Sequence, residues 1–240
     1  MAISSDVKRN LESAVISYNK EWTDTPPKDA QIDLSCDYPA LEPPSEFNTI
    51  LKDVVINPRP GMHRYMENSG YTYARSFVAE QLSKETGVDF SQNDVIMTCG
   101  AGGALNMILK TLLNPGDEVI ALLPCSPEYE LYTANHGGVL KAVPFKQGFI
   151  PDYVALEKMI SSHTRALIMN SPNNPSGAVY SEEVLKRVAD IAERKSTENR
   201  SRIYIISDDV YVKFCYSHTK CPRIINYLSL IHISEPTRPY

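Results

Sequence analysis

The chain has 240 residues, of which 42% are hydrophobic and 22% charged, and it carries a formal net charge of −5. This length and apolar content suffice for a buried core. The negative charge argues against nucleic acid or an anionic membrane as the main partner, and no run reaches the ~18 apolar residues of a membrane span. Without a signal-peptide core near residue 1, we expect a cytoplasmic protein whose five cysteines are reduced thiols.

The first third of the chain shows little periodicity. Residues 4–20 predict a polar amphipathic helix, and residues 24–72, rich in Pro, Asp and Tyr, predict an ordered arm. A short helix is expected near residues 45–53. We therefore expect residues 1–60 to form an N-terminal arm and part of a small domain.

From residue 73 onward, helical and strand patterns alternate. This alternation predicts βαβ units and a mostly parallel sheet covered by helices, a three-layer α/β/α fold. Gly87 and the pair Pro115–Gly116 mark helix ends, and Ser181 is a predicted N-cap. The predicted helices are YARSFVAEQLSKETG, GALNMILKTLLNPG, EYELYTANHGG, DYVALEKMISS and SEEVLKRVADIAERKS, and the predicted strands are DVIMTCG, DEVIALLP, VLKAVPF, RALIMN and RIYIISDD.

The C-terminal residues 228–240 break this rhythm. They form a polar, unpatterned stretch, SLIHISEPTRPY and its preceding leucine, which resembles a translated sequencing adapter. We expect this segment to be a non-native tail and leave it out of the fold.

Three predicted strands end in unusual loops, which the parallel fold brings to one edge of the sheet. The first loop places Gly100 to Gly103 before a helix, where small residues and the helix N-terminus favour a phosphate group. The second, NSPNNPSG, is rigidified by Pro172 and Pro175 and presents asparagine amides. In the third, a carboxylate at Asp208 follows a buried strand, with Tyr211 three residues later. A buried Asp208 requires a cationic partner, and no lysine or arginine lies close to it in sequence.

Together these loops resemble the class I/II aminotransferases, which are fold-type I pyridoxal-phosphate enzymes. NSPNNPSG resembles the family motif N-x-P-N-N-P-[TS]-G, SDDVY resembles S-D-[ED]-x-Y, and GAGGALN resembles the phosphate turn. HRYMENSGYTYARSFVAEQL resembles the segment before that turn. The resemblance implies an aspartate-aminotransferase-like large domain, incomplete in this chain, with residues 61–227 as part of its cofactor-binding domain.

The resemblance also implies roles for individual residues around pyridoxal 5′-phosphate. Asp208 matches the carboxylate that pairs with the protonated ring nitrogen, and both Asn174 and Tyr211 match donors to the phenolic oxygen. Ala101 and Gly102 match the backbone donors to the phosphate.

Two further matches concern the partner subunit and the substrate. Tyr65 matches a tyrosine that reaches the phosphate of the neighbouring subunit, so a homodimer is implied for the full-length protein. Asp37 lies at the substrate loop, where its charge should disfavour a carboxylate. No metal site is predicted.

Two departures from the family pattern bear on function. Ser126 stands where the family has the aromatic ring that stacks on the cofactor, and Tyr129 is a possible replacement. The family's Schiff-base lysine lies further along the chain, and Lys213 and Lys220 fall too close to Tyr211 to match it.

The resemblance implies an aminotransferase that moves an amino group between an amino acid and a 2-oxo acid. Because the matching lysine is missing, we expect the 240-residue chain to be inactive alone and to expose a sheet edge. Two alternatives remain open: a C–S lyase of the same fold, and a non-catalytic aminotransferase-like domain.

Overall fold

A computed structural model describes residues 42–215 and 221–228, and the chain divides into two compact units, residues 1–71 and 72–240. In the first unit, helix α1 (Ser45–Ile56) confirms the short helix predicted there. Asn57 closes the helix, with its backbone N–H donating to Asp53 O and its Nδ2 to Asp53 Oδ1 at 2.8 Å. Every side chain of α1 is exposed. The helix predicted over residues 4–20 lies outside the described residues.

The second unit alternates helices and strands as predicted. Short 3-10 helices occur at Gln92–Asp94, Gln147–Phe149 and Ile224–Tyr227. The main elements are α2 (Thr72–Thr86), α3 (Gly100–Leu112), β1 (Glu118–Leu122), α4 (Glu128–Asn135), β2 (Val139–Val143), β3 (Phe145–Lys146), β4 (Ile150–Pro151), α5 (Tyr153–Met159), β5 (Thr164–Asn170), α6 (Glu182–Asn199) and β6 (Tyr204–Asp208).

Four strands form a parallel sheet in the order β2-β1-β5-β6. From β1 the chain proceeds to one side to form β2, and then to the other side for β5 and β6. The strand order therefore reverses between β1 and β5, and ligands of open α/β sheets bind beyond the carboxyl ends of the strands at such a point. β5 and β6 are in register at their ends, with Asn170 opposite Asp208.

Helices cover both faces of this sheet, so the predicted three-layer α/β/α fold is confirmed. Alternate residues of β5 point to opposite faces, because successive strand side chains alternate. Leu167 and Met169 lie in one core with residues of α5 and α6, whereas Ala166 and Ile168 lie in the other with residues of α3 and α4. Among the described residues, no helix is long and apolar enough to cross a bilayer.

Several predicted helix ends are confirmed. The Ser181 hydroxyl accepts a hydrogen bond from Val184 N, which satisfies one free donor at the start of α6. Asp152 caps α5 in the same way by accepting from the first-turn amides. Gly87 follows α2 with φ of +74°, the left-handed conformation that glycine adopts without strain.

Two strand predictions differ from the structure. In the segment predicted as a strand over residues 94–100, Asp94 ends a 3-10 helix and Gly100 begins α3, and residues 95–98 pair with no strand in the described part of the chain. Ile96 and Met97 are exposed. A strand needs a neighbour for its backbone hydrogen bonds, and the local β-propensity of VIMT does not supply one. The strand predicted over VLKAVPF is divided at Pro144, and β3 instead pairs antiparallel with β4.

The expectation of five reduced cysteines is wrong. Cys215 and Cys221 form a disulfide, whereas Cys99 and Cys125 are free thiols. The two bridged cysteines are six residues apart, a spacing that matches no metal or redox motif, so the sequence did not indicate their pairing. Cys36 lies outside the described residues.

Candidate cofactor site

The candidate site lies where β1, β5 and β6 end, beside the first turn of α3. The loop after β5 is joined to both neighbouring strands by asparagine side chains. Asn170 Nδ2 donates to Asp208 O at 2.8 Å, and Asn170 Oδ1 accepts from Asn174 N at 2.7 Å. On the other side, the buried Asn173 donates through Nδ2 to Pro124 O, just beyond β1, at 2.8 Å. This double attachment fixes the loop and with it the position of Asn174.

Within the loop, further hydrogen bonds hold the turn closed. Asn173 Oδ1 accepts from both the backbone N–H and the hydroxyl of Ser176, at 3.2 and 2.6 Å. Gly177 N–H donates to Asn173 O with φ of +69° at the glycine, a conformation in which other residues are strained. The rigidity that the sequence NSPNNPSG predicts therefore comes from asparagine bonds as well as from proline rings.

Asp208 is the central acidic group of the site. Its Oδ2 accepts a 2.6 Å hydrogen bond from the hydroxyl of Tyr129, a side chain only 3% exposed. Its Oδ1 is buried and has no hydrogen-bond partner among the described residues. Burial and then the bond to Asp208 raise the pKa of Tyr129 well above its usual value, so the hydroxyl remains a neutral donor. One acceptor oxygen thus remains to be satisfied.

Asn174 and Tyr211 meet at the mouth of the site. Asn174 Nδ2 donates to the Tyr211 hydroxyl oxygen at 3.0 Å, although the two residues are 37 positions apart. The bond between Asn174 N and Asn170 Oδ1, and that between Asn170 Nδ2 and Asp208 O, complete a connected path from Tyr211 to Asp208. The structure therefore brings together three of the predicted residues.

The glycine turn faces α4. A Cβ added at Gly102 would lie 2.8 Å from the Tyr132 hydroxyl oxygen, so only glycine fits without moving that tyrosine. The N-cap residue Cys99 makes no side-chain capping bond, and the first-turn amides of a helix have no partner within it. Ala101 lies in this turn and is exposed. A group with anionic oxygens could accept bonds from these amides.

Helix α4 connects the two halves of the site. Tyr129 bonds to Asp208, and Tyr132, one turn later on the same face, has its hydroxyl in the space that a Cβ at Gly102 would need. The Tyr132 hydroxyl donates to Glu128 Oε2 at 3.0 Å, and burial together with Glu128 raises its pKa. The glycine turn and Asp208 thus both lie next to the face of α4 that carries Tyr129 and Tyr132.

The remaining predicted residues are placed elsewhere. Tyr65 is fully exposed and belongs to the first unit. Asp37 lies outside the described residues. Ser126, which the resemblance places at the position of the family's stacking ring, accepts a 3.3 Å hydrogen bond from Glu128 N just before α4. No group of three His, Cys, Asp or Glu side chains suited to a metal occurs in the described part of the chain.

Two members of the candidate site, Asn170 and Tyr129, were not predicted in these roles from the sequence. Asn170 is the central hydrogen-bonding residue, but as the last residue of a strand it had no signal beyond being the first letter of NSPNNPSG. Tyr129 was considered as a ring to cover the cofactor, whereas the structure shows its hydroxyl bonded to Asp208. Its position on the inward face of α4 is the signal that could have identified it.

Comparison with known proteins shows the family. The family model for aminotransferase class I and II matches residues 31–234. A probable aspartate/prephenate aminotransferase of Thermus aquaticus is 36% identical over 158 residues, which is 65% of this chain and 40% of the relative. A second, from Aquifex aeolicus, is 33% identical over 184 residues, covering 75% of this chain and 45% of the relative. The chain thus spans less than half the length of these relatives.

Solved structures give the same result. An aminotransferase of Eubacterium rectale superimposes with a TM-score of 0.85 at 33% identity, over 95% of this chain and 59% of that one. The aspartate aminotransferase of Thermotoga maritima gives a TM-score of 0.78 at 26% identity, over 94% and 58%. The chain belongs to the class I and II aminotransferase family.

Proposed function

We propose that this chain carries the cofactor cradle of a pyridoxal-phosphate-dependent transaminase, which moves an amino group between an amino acid and a 2-oxo acid. The observation that supports this proposal is the carboxylate of Asp208, with one oxygen bonded to Tyr129 and the other buried and unsatisfied. A buried carboxylate oxygen without a donor is costly, and a cationic ring N–H satisfies both its charge and its hydrogen bond.

The residues around Asp208 fit the rest of the ring. Asn174 and Tyr211 would donate to the phenolic oxygen of pyridoxal 5′-phosphate, since both lie on the same hydrogen-bonded path as Asp208. When bound, the cofactor supplies an electron sink for the electrons released at the substrate Cα. Asp208 would keep the ring nitrogen protonated, and Asn170 would hold the backbone of Asp208 in place.

The first turn of α3 fits the phosphate group. Backbone amides of Ala101 and Gly102 would donate to its oxygens, and the positive end of the helix dipole would stabilise its charge. We propose further that Tyr65 of a second copy completes this seat in a homodimer, as the resemblance implies. The exposure of Tyr65 is consistent with a residue that acts in another subunit.

The proposed substrates are an amino acid and a 2-oxo acid. The relatives from Thermus aquaticus and Aquifex aeolicus are named probable aspartate/prephenate aminotransferases, and we extend to this chain only the amino-group transfer that this name states. A cytoplasmic location and an effect of Asp37 against carboxylate substrates remain predictions.

We also propose that the 240-residue chain does not transaminate alone, because none of its lysines lies where the resemblance requires one. Lys220 follows Ser217 at the S-x-x-K spacing but is much closer to Tyr211 than the family lysine. Incubation with an amino acid, a 2-oxo acid and the cofactor should give no product. Product that is formed by the chain and abolished in Lys220→Met would refute the proposal and identify the lysine.

Binding of pyridoxamine phosphate, measured by calorimetric titration, tests the site itself. This probe has no aldehyde and cannot condense with surface lysines. Asp208→Asn should weaken binding about 10- to 100-fold, the effect of losing a hydrogen bond to a charged group worth about 1.5–3 kcal/mol. Asp190→Asn, at an exposed position on α6, is the matched control and should bind normally.

An analogue whose ring nitrogen is replaced by carbon identifies the contact. It should bind the native chain and Asp208→Asn equally weakly, because the partner of the carboxylate is missing from the ligand in both cases. Absence of binding by the native chain would instead favour the non-catalytic domain.

A further inference from the structure

The residues that follow Asp208 are held by a cluster of charges outside the proposed cofactor site. Asp209 accepts from the Ser207 hydroxyl through Oδ1 and from Arg223 Nη1 through Oδ2, both at 2.5 Å. The second nitrogen of the same guanidinium, Nη2, donates to Glu85 Oε2 at 2.9 Å. Glu85 is in the last turn of α2, so Arg223 joins the end of β6 to the end of that helix.

Further contacts strengthen this connection. Lys213 pairs with the other oxygen of Glu85, and Asn226 Nδ2 donates to Thr86 O at 2.6 Å. The hydrogen bond from Lys213, together with the charge of Arg223, holds the pKa of Glu85 below its usual range. The Arg223 side chain is 14% exposed and that of Lys213 is 67% exposed. Arg223 is therefore the better shielded cation, and its bonds are the less weakened by water.

This cluster of charges holds residues that adjoin Asp208 and Tyr211 of the proposed cofactor site. Asp208 is the last residue of β6 and bonds to Tyr129 of α4, whereas the next residue, Asp209, bonds to Arg223. Asn170 holds the backbone of Asp208 from β5, and Arg223 holds the side chain of Asp209 from the other direction. Tyr211 comes two residues later, between Asp209 and Lys213. Both cofactor residues of this segment thus lie within the part of the chain that Arg223 attaches to α2.

We infer that Arg223 is a positioning residue for the cofactor: through Asp209 and Glu85, it fixes the direction in which Asp208 and Tyr211 face the ring. This inference rests on the proposed function. Without the guanidinium, the carboxylates of Asp209 and Glu85, each within 3 Å of it, lose the cation that bridges them, and Lys213 pairs with Glu85 alone. Their repulsion moves the segment that carries Tyr211, and the orientation of the two cofactor contacts is lost.

Arg223→Met tests the inference in the full chain, again with pyridoxamine phosphate. The affinity should fall about tenfold, which corresponds to about 1.4 kcal/mol, although Arg223 does not touch the proposed site. Arg223→Lys keeps the charge but reaches one carboxylate at a time, so it should recover part of the affinity. Arg194→Met is the matched control, because Arg194 also bridges two glutamates, Glu157 and Glu198, but on the exposed surface of α6.

Asp209→Asn combined with Arg223→Met separates positioning from general loss of stability. Removing one of the two carboxylates relieves their repulsion, so the double variant should bind more tightly than Arg223→Met alone. The induced circular dichroism of bound pyridoxamine phosphate, which reports the orientation of the ring, should change in Arg223→Met and recover only in part in Arg223→Lys.

Unchanged affinity and dichroism in a folded Arg223→Met, with binding by the native chain, would overturn the inference and leave the proposed function intact. Failure of the native chain itself to bind would overturn both. If Arg223→Met does not fold, Arg223→Lys tests the inference instead. Native affinity and native dichroism in Arg223→Lys would overturn the inference, whereas weaker binding by folded Arg223→Lys would support it.

Discussion

The hydrogen bond between Tyr129 and Asp208 offers a direct measure of how strongly the proposed cofactor site is held together. Tyr129→Phe removes one oxygen and keeps the ring, so the core of α3, α4 and the sheet retains its packing. The lost bond is charge-assisted, 2.6 Å long, and made by a tyrosine only 3% exposed. After the change, neither carboxylate oxygen has a side-chain donor in the described part of the chain.

The expected cost follows from this geometry. A hydrogen bond to a charged group contributes about 1.5–3 kcal/mol, and an unsatisfied buried acceptor adds to the loss. We therefore expect the free energy of unfolding in urea at pH 7 to fall by about 2 kcal/mol, with an unchanged slope against denaturant. Pyridoxamine phosphate should restore less stability to the variant than to the native chain, because Asp208 is then less well oriented.

Tyr180→Phe is the control for this experiment. Tyr180 is 4% exposed and packs in the opposite core, and no hydrogen bond of its hydroxyl is seen among the described residues. At pH 7 its removal should change the free energy of unfolding by less than about 0.5 kcal/mol. Equal losses for the two variants would refute the reasoning, since they would show that the bond to Asp208 contributes nothing beyond the burial of a phenol ring.

Three further predictions concern the scaffold. Burial raises the pKa of Tyr180 to about 12. The stability that the neutral phenol contributes is therefore complete below about pH 10 and is lost as the pH rises towards 12. Tyr180→Phe should make the free energy of unfolding fall less steeply between these pH values. Gly138→Ala should lower the free energy of unfolding in urea by about 1–3 kcal/mol, because the added Cβ would lie 2.8 Å from a leucine methyl. Gly103→Ala, whose Cβ would meet no atom under 3.5 Å, is the control and should not destabilise the chain. Equal effects of the two changes would contradict this reasoning. Cys215 and Cys221 should resist alkylation until a reductant is added, as judged by peptide mass spectrometry; labelling without reductant would disprove the bridge.

Much of the fold could be predicted from the sequence, because the order of elements depends on local patterns. The apolar run of β5 and the capping serine of α6 each act within a few residues, and both were identified correctly. The segment over residues 94–100 has the same local character as β5 but pairs with no strand of the described sheet. Strand pairing depends on whether another strand lies alongside in the fold, and the local amino-acid composition does not indicate this.

The candidate site shows the same difference between residues in local motifs and contacts between distant parts of the chain. Asp208, Asn174 and Tyr211 could be predicted to lie together because each stands in a short motif, and the structure joins them by hydrogen bonds. Tyr129 and Asp208 are 79 residues apart, and Arg223 and Glu85 are 138 apart. Neither contact has a motif, because each depends on the packing of two whole elements rather than on a turn.

These two long-range contacts act at the same strand end. Tyr129 approaches from α4 and holds the side chain of Asp208, while Arg223 holds the neighbouring Asp209 against α2. Asn170 fixes the backbone between them. A buried carboxylate with a free oxygen is stable only if its surroundings prevent it from turning towards water or another donor. The three contacts provide that restraint from within the chain, and two of the residues that make them, Tyr129 and Arg223, stand outside the family motifs.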